Sequence, residues 1–278
     1  MRVLIAGCGY VGNRLAGILA GSGAEVFALR RSPGDVPAGA TALCADLTDP
    51  GSLVRIPRSV DTIVFCASPS SHDESGYRGI FIDGLRNLTE ASTAHEKPPA
   101  RLIFTSSTAV YGHSNHEWVD ETSLTRPRQF NGKVLLEAEK FVHDSPLPGC
   151  VMRLGGIYGP GRERRIERVR RGHVSLDPGI PHYTNRIHLE DAARSLMHLT
   201  TLASVEPVYL GVDSEPAPDN DVLRFLATEL GLPEPPMGES SSPRRSGSKR
   251  CRNDRLIASG YRPVYASYRE GYRSMMGA

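Results

Sequence analysis

The stretch "AGCGYVGNRL" places Gly7, Gly9 and Gly12 in G-x-G-x-x-G spacing. Each glycine answers a separate demand of a dinucleotide. Gly7 allows the tight turn, Gly9 lets the backbone approach a pyrophosphate, and Gly12 lets a helix pack on a strand with its N-terminal dipole toward the phosphates. Tyr10 and Val11 lie between them in the expected cofactor set. The motif alone is weak evidence, but its context is confirming, because it follows an apolar strand and opens a helical pattern. About 20 residues on, an NAD site places an Asp or Glu against the ribose 2′-hydroxyl. This chain reads "ALRRSP" there, so Arg30, Arg31 and Ser32 stand where the acid would be. Arginine pairs bidentately with phosphate, which favours NADP, with NAD the second choice. Asp46 and Leu47, after the third strand, are expected beside the adenine; the plainer reading of Asp46 is a cap for a helix near 50.

The elements that must position these residues alternate regularly. "RVLIA" (2–6) is a short, nearly all-apolar run of the kind that forms a buried parallel strand. "NRLAGILAGSG" has helical spacing, and "EVFALRR", "DTIVFCAS" and "RLIFTSS" read as further strands, with a helix over 77–95 between the last two. A helix over 132–143 leads to the strand "GCVMRLGG". The pattern predicts an α/β Rossmann fold, a doubly wound parallel sheet, with a smaller mixed C-terminal substrate lobe. The dinucleotide-binding domain is expected over 1–155 plus returning segments near 185–212, and the lobe mainly over 156–278. Short strands "RIHL" and "PVYLGV" and helices 190–201 and 219–230 belong to this second texture. Residues 238–250, "GESSSPRRSGSKR", read as a mobile loop.

Composition removes several classes. The 278 residues carry 33 basic and 31 acidic side chains, too balanced for nucleic-acid binding by bulk electrostatics. No apolar run approaches the ~18–20 residues needed to span a bilayer. Cys8, Cys44, Cys66, Cys150 and Cys251 are dispersed, without CxxC or a His/Cys cluster, which reads as reduced thiols and no metal site. A cytoplasmic protein acting on a small molecule is the expectation.

With these residues in view, the chain resembles an extended or atypical short-chain dehydrogenase/reductase of the NAD-dependent epimerase/dehydratase group. The resemblance runs through "AGCGYVG", "ADL" (45–47), "FIDGLRNLTEA" (81–91), "TSSTAVYG" (105–112), "KVLLEAEK" (133–140), "RLGGIYGPGR" (153–162) and "NRIHLEDAA" (185–193), covering nearly the whole length. It implies that Cys66, Ala67 and Ser68 join the cofactor site. It implies that Ser107 polarises the substrate, that Tyr111 shapes its pocket, and that Lys133 holds the nicotinamide ribose, with Glu137 one turn on. Three positions depart from the family pattern, the first being Ala6, which fills the first position of the extended GxxGxxG glycine motif. Gln129 stands where the YxxxK tyrosine belongs, and Asp83 where an asparagine is usual.

Glutamine has no titratable proton, so it cannot serve as general acid or base. Substitutes are Tyr111, His113 or His116 on the following loop, Asp83 through a water, or Lys133 itself. The plainer readings are solvated histidines and an Asp83 that bonds backbone beneath the nicotinamide. Thr108 and Ala109 occupy the positions of the Asp-Glu pair of sugar-nucleotide 4,6-dehydratases, which argues against dehydration by that route.

The resemblance implies an oxidoreductase or epimerase on a sugar-like or nucleotide-linked alcohol, with a substrate that is phosphorylated or nucleotide-linked as one option. A non-catalytic NADP-binding sensor on the same scaffold is the alternative. Arg162, Arg186 and His188 are the candidate substrate residues, and the arginines of "GRERRIERVRRGH" offer either an acid-binding face or a solvated helix. Asp191 reads as a helix cap. In relatives, helices such as 78–95 and 132–145 can form a four-helix seam, so a homodimer is an arrangement the resemblance allows.

Overall fold

The computed structural model describes residues 1–238 and 247–277. In chain order the elements are β1 (Arg2–Ala6), α1 (Tyr10–Gly21), β2 (Glu25–Arg30), β3 (Ala40–Cys44), β4 (Thr62–Phe65), α2 (Glu74–Arg78), α3 (Leu85–Thr93), β5 (Arg101–Ser107), β6 (Glu117–Val119) and α4 (Phe130–Asp144). There follow β7 (Gly149–Leu154), β8 (Gly156–Tyr158), α5 (Arg164–Arg170), β9 (Tyr183–Thr184), β10 (Arg186–His188), α6 (Leu189–Thr201), β11 (Val208–Gly211), β12 (Ala217–Pro218), α7 (Asp219–Glu229), β13 (Lys249–Cys251), α8 (Asp254–Ala258) and α9 (Tyr268–Met276).

Seven strands form one sheet in the order β11-β7-β5-β4-β1-β2-β3. The ladders β1/β2, β1/β4, β2/β3 and β4/β5 are parallel, with Ile5 opposite Ala28 on one side and Val64 on the other. Leu4, Ile5, Ile63, Val64 and Phe65 are fully buried, as strands covered on both faces require. The crossovers place β1 between β4 and β2, so the strand order reverses at β1; ligands of open α/β sheets bind at such a point.

The chain divides into two compact units. The first comprises 1–110, 125–153 and 192–209; the second comprises 111–124, 154–191 and 210–278. The helix expected over 77–95 starts earlier and is interrupted by a π turn over Gly79–Gly84, which shifts the face between α2 and α3.

The second unit packs α5, α7 and α9 around Tyr158, Ile166, Leu176, Val222, Phe225, Leu226 and Tyr268. Helix α9 is fixed at its start by a capping box between Ser267 and Glu270 and ends on Gly277 in the left-handed region. The loop expected over 238–250 is only part of the finding. Residues 239–246 lie outside the described residues, while Lys249–Cys251 form β13, paired in parallel with β6. Among the described residues, no helix is long and apolar enough to cross a membrane, and no three His, Cys, Asp or Glu side chains group as metal ligands.

Candidate functional site

The turn after β1 fixes the geometry of the first unit. Gly7 has φ +94°, and a Cβ there would sit 2.3 Å from the backbone of Ala67, so only glycine fits. A Cβ on Gly12 would lie 2.5 Å from the Gly7 carbonyl oxygen and 3.1 Å from Ile5, which is the close helix–strand approach its position predicts. Gly9 differs, because nothing lies within 4 Å of its would-be Cβ. The turn therefore presents an open face at the start of α1, whose first turn has no side-chain cap and no acidic residue. Tyr10 and Val11 form that first turn. A phosphate fits such a helix start.

The loop after β4 closes the other side. Cys66 donates its amide to the Ala6 carbonyl at 2.8 Å, aligning Cys66, Ala67 and Ser68 beside the glycine turn. The Cys66 thiol is pushed up to about 12, first by burial, and is inert as a nucleophile. Leu47 is buried, and its carbonyl accepts from Asn87 Nδ2 at 2.9 Å. Asp46 accepts from the Thr48 amide at 2.9 Å and hydroxyl at 2.8 Å, and these bonds hold its carboxyl below the ordinary range. The helical turn at 50–55 is capped by Asp49, not by Asp46.

At the end of β2, Arg30 Nη1 donates to the Asp35 carbonyl at 2.7 Å, and its guanidinium packs on Gly34. Arg31 and Ser32 are exposed.

Ser107 ends β5, and its hydroxyl accepts from the Ala109 amide at 3.2 Å. That turn touches the start of α4, since a Cβ on Gly132 would lie 2.4 Å from the Ala109 carbonyl. Gln129 is the residue before α4, extended and exposed, and its side chain makes no capping bond. Lys133 donates its amide to the Gln129 carbonyl, so the two side chains stand one turn apart. Lys133 is exposed at one end of an open groove of about 690 Å³ that also meets Pro127, Leu136, Lys140 and His143. Glu137, one turn further, is held bidentately by Arg78 at 2.9 Å.

Several expected site residues are placed elsewhere. Asp83 belongs to the outward stripe 83, 86 and 90 and meets Arg86 at 3.6 Å with its side chain 58% exposed. The inward position two residues earlier is Phe81, buried against Phe104. Helical geometry thus turns Asp83 away from the sheet, and it does not bond backbone there.

In the second unit, Tyr111 is buried and donates its hydroxyl to the Asp120 carbonyl at 2.7 Å, which commits the proton a catalytic role would need. His113 keeps a buried Nδ1 without a partner, and His116 adopts φ 63° with its ring 5.4 Å from Tyr183. Arg186 and His188 are each 5% exposed. Arg186 reaches Asp219 at 3.5 Å and lies 5.6 Å from the Tyr268 ring centre, while His188 sits edge-on to Tyr158 and Tyr265. Both are buried within the second unit, and each keeps one buried nitrogen, Arg186 Nη1 and His188 Nε2, without a hydrogen-bond partner among the described residues. Arg162 is exposed.

The arginine helix is also spent on structure. Arg165 pairs with Asp219 at 2.5 Å, Arg168 donates to the His173 carbonyl at 2.9 Å, and Arg170 pairs with Glu167. Asp191 is no cap. It accepts from the Tyr261 hydroxyl and from the amides of Val264 and Tyr265, which fastens the segment before α9.

The sequence reading missed Glu139. It bonds Ser106 Oγ at 2.6 Å and pairs with Arg153 at 2.6 Å, all three side chains buried. The available signal was an acid on the apolar stripe Leu135, Ala138, Val142 of α4.

Residues 3–200 fit the model of the NAD dependent epimerase/dehydratase family. The chain belongs to that family. Protein YeeZ of Escherichia coli K12 is 30% identical over 256 residues, covering 86% of this chain and 87% of that protein. A 3-diazoavenalumate denitrifying reductase from a Streptomyces species is 26% identical over 98% of this chain and 99% of its own. A solved structure from Methylobacillus flagellatus, assigned by name to the same family, is 36% identical with a TM-score of 0.83, over 99% of this chain and 97% of that one.

Proposed function

We propose that the protein is an NADP-dependent oxidoreductase or epimerase acting on a sugar-like or nucleotide-linked alcohol or carbonyl, with an active site that lacks the usual tyrosine. The observation that carries this reading is the open Gly9 face at the start of α1, backed by exposed Arg31 in place of an acid. A phosphate on the ribose 2′ position suits an arginine, whereas a free hydroxyl asks for a carboxylate. The relative named as a reductase spans nearly the whole chain, which supports reduction as the chemistry.

The bound nicotinamide supplies the hydride. In this reading Gly7, Gly9 and Gly12 cradle the pyrophosphate, and Arg31, with Arg30 and Ser32, meets the 2′-phosphate. Asp46 and Leu47 border the adenine; Cys66, Ala67 and Ser68 line the opposite wall. Lys133 holds the nicotinamide ribose and adds positive charge beside the reacting oxygen. Ser107 donates to that oxygen. Gln129 can orient a substrate by hydrogen bond but transfers no proton, so the proton comes from solvent or from Lys133.

The exposed, unbonded Gln129 also favours a second reading, a binding protein that senses NADP(H) without turnover. Fluorescence titration with NADPH and NADH, followed by turnover of Gln129→Tyr, separates the two. For the enzyme reading, NADPH binds more tightly than NADH, and the tyrosine raises carbonyl reduction by about 10²-fold or more, the usual contribution of a positioned acid. Tight NADPH binding with no turnover in either protein leaves the sensor. Absence of binding sinks both.

A further inference from the structure

Six buried side-chain atoms lack a hydrogen-bond partner among the described residues, and five of them fall in one place: Tyr158 Oη, Arg186 Nη1, His188 Nε2, Asp213 Oδ2 and Tyr268 Oη. The residues come from β8, β10, the turn after β11 and α9, and each is 0–6% exposed. Native interiors leave few buried polar groups unpaired, so five together call for an occupant.

Geometry holds the five as a group. The β8/β10 register sets His188 beside Tyr158, and their rings meet edge-on at 5.3 Å. Strand alternation turns Arg186 to the same face as His188. The Arg186 guanidinium lies 5.6 Å from the Tyr268 ring centre, and the Arg186 carbonyl accepts from the Asp213 amide at 2.6 Å. The Tyr158 hydroxyl rests on α9, where a Cβ on Gly271 would overlap it.

Donors and acceptors define what fits. Arg186 Nη2 is already engaged by Thr184 Oγ1 and Asp219, and Asp213 Oδ1 by the Glu215 amide at 3.2 Å. His188 Nδ1 accepts from the Glu190 amide at 3.1 Å, so the neutral ring carries its proton on Nε2. The neutral form is favoured first by burial, which holds His188 below the ordinary histidine range, with Asp191 and Glu190 opposing. Arg186 Nη1 and His188 Nε2 therefore need an acceptor, Asp213 Oδ2 needs a donor when ionised, and the two hydroxyls can serve as either. A halide would leave Asp213 facing a negative charge, and a metal cation would face Arg186. Water accepts from the nitrogens and donates to the carboxylate, and groups this buried are out of reach of a substrate-sized molecule.

We infer that the second unit holds a buried water site, in which ordered water bridges Asp213 Oδ2 to Arg186 Nη1, His188 Nε2 and the hydroxyls of Tyr158 and Tyr268. At about three hydrogen bonds to each internal water, five such atoms call for about two molecules. Through the two tyrosines the water links α9 to β8. The site lies wholly within the second unit and stands apart from the cofactor reading.

A crystal structure of the full chain, at a resolution that shows ordered water, tests the site directly. The expected density lies within about 2.6–3.2 Å of Asp213 Oδ2, Arg186 Nη1 and at least one of the two hydroxyls. Melting of Tyr158→Phe and Tyr268→Phe tests it in solution. A hydroxyl bonded to water loses that hydrogen bond, so at least one variant should melt about 2 °C or more below the parent. A hydroxyl with no partner at all is relieved by its removal, and the phenylalanine then melts no lower. Melting temperatures unchanged or raised in both variants overturn the site. So does a dry cluster in the crystal whose side chains have rotated to bond one another, or density that refines as a halide or an organic group.

Discussion

Each unit buries a charged network, and the two are built differently. In the first, Ser106, Glu139 and Arg153 form a closed set, with Arg153 Nε and Nη2 both on the Glu139 carboxylate. In the second, Tyr158, Arg186, His188, Asp213 and Tyr268 sit together, and each keeps one buried polar atom without a hydrogen-bond partner. A closed network is rigid and indifferent to pH. An open one leaves proton affinity to be set by burial. Burial pushes the Asp213 carboxyl up to about 7, with the Arg186 guanidinium pulling the other way. The contrast separates charge that holds a fold together from charge that responds to conditions.

Breaking the closed network has the largest expected effect. Glu139→Ala takes the carboxylate away from the buried Arg153 guanidinium, which should cost about 3–5 kcal/mol in urea unfolding. Replacing both partners by Leu and Met removes the charges together and should recover most of that loss, because a buried pair is rarely better than packed apolar groups. If the single and double variants are equally unstable, the network contributes through its geometry and not through its paired charges.

The open network should show itself as a pH slope. Asp213 is protonated in the folded state at pH values where the unfolded carboxyl, near 3.8, is ionised. Its contribution is fully present below about pH 4, falls as pH rises toward 7, and is flat above, with a span of up to about 4 kcal/mol. Asp46 and Asp120, held low by bonds to Thr48 and Thr122, act in the opposite direction at more acid pH. Chemical unfolding of the parent and of Asp213→Asn across pH 4.5–8 isolates the effect, because the asparagine should flatten the slope in that window. Equal slopes would place Asp213 among ordinary carboxylates.

A smaller effect sharpens the comparison at the cofactor end, where backbone space matters more than charge. Gly7→Ala meets both a positive φ and the Ala67 backbone, so it should lower stability by roughly 1–3 kcal/mol. Gly9→Ala meets nothing and should leave the melting temperature within the range of a neutral surface change, about 0.5 kcal/mol. Both should lose NADPH, and only thermal melting should tell them apart. A destabilised Gly9→Ala would mean that Gly9 serves the fold.

These contrasts explain what the sequence disclosed. The glycine turn was legible because steric demands at Gly7 and Gly12 are local and written in residue type. The strand runs 2–6 and 101–107 were legible because burial on both faces leaves continuous apolar stretches. Asp83 was misplaced because its role depended on helix phase, and the π turn at Gly79–Gly84 and the outward stripe through Arg86 decide that phase. The surroundings of Arg186 and the α5 arginines were not legible because a charged residue looks alike in sequence whether it meets a ligand or Asp219. The pairings with Asp219 span 33 residues for Arg186 and 54 for Arg165, beyond the reach of local pattern. Lys249 was absorbed into a presumed loop because the Ser/Arg/Gly-rich composition masked the short strand at its end.

The finest comparison lies between two neighbouring arginines. Arg30 is tied to its own loop through the Asp35 carbonyl, whereas Arg31 is exposed, its backbone accepting from the Cys44 thiol at 3.3 Å and its charge felt by the Asp46 carboxylate. An exposed side chain with no hydrogen bond to break gives up less to meet a phosphate. Arg31→Ala should therefore weaken NADPH about tenfold, the loss of one charge-assisted contact, and leave NADH unchanged. Arg30→Ala should weaken both cofactors slightly by loosening the 33–35 turn. Titration of each variant with both cofactors reads the difference as a change in the NADPH/NADH ratio. If Arg30→Ala shifts the ratio and Arg31→Ala does not, the loop must open to release Arg30 when NADP binds, and the specificity of the site is induced on binding instead of standing ready in the free protein.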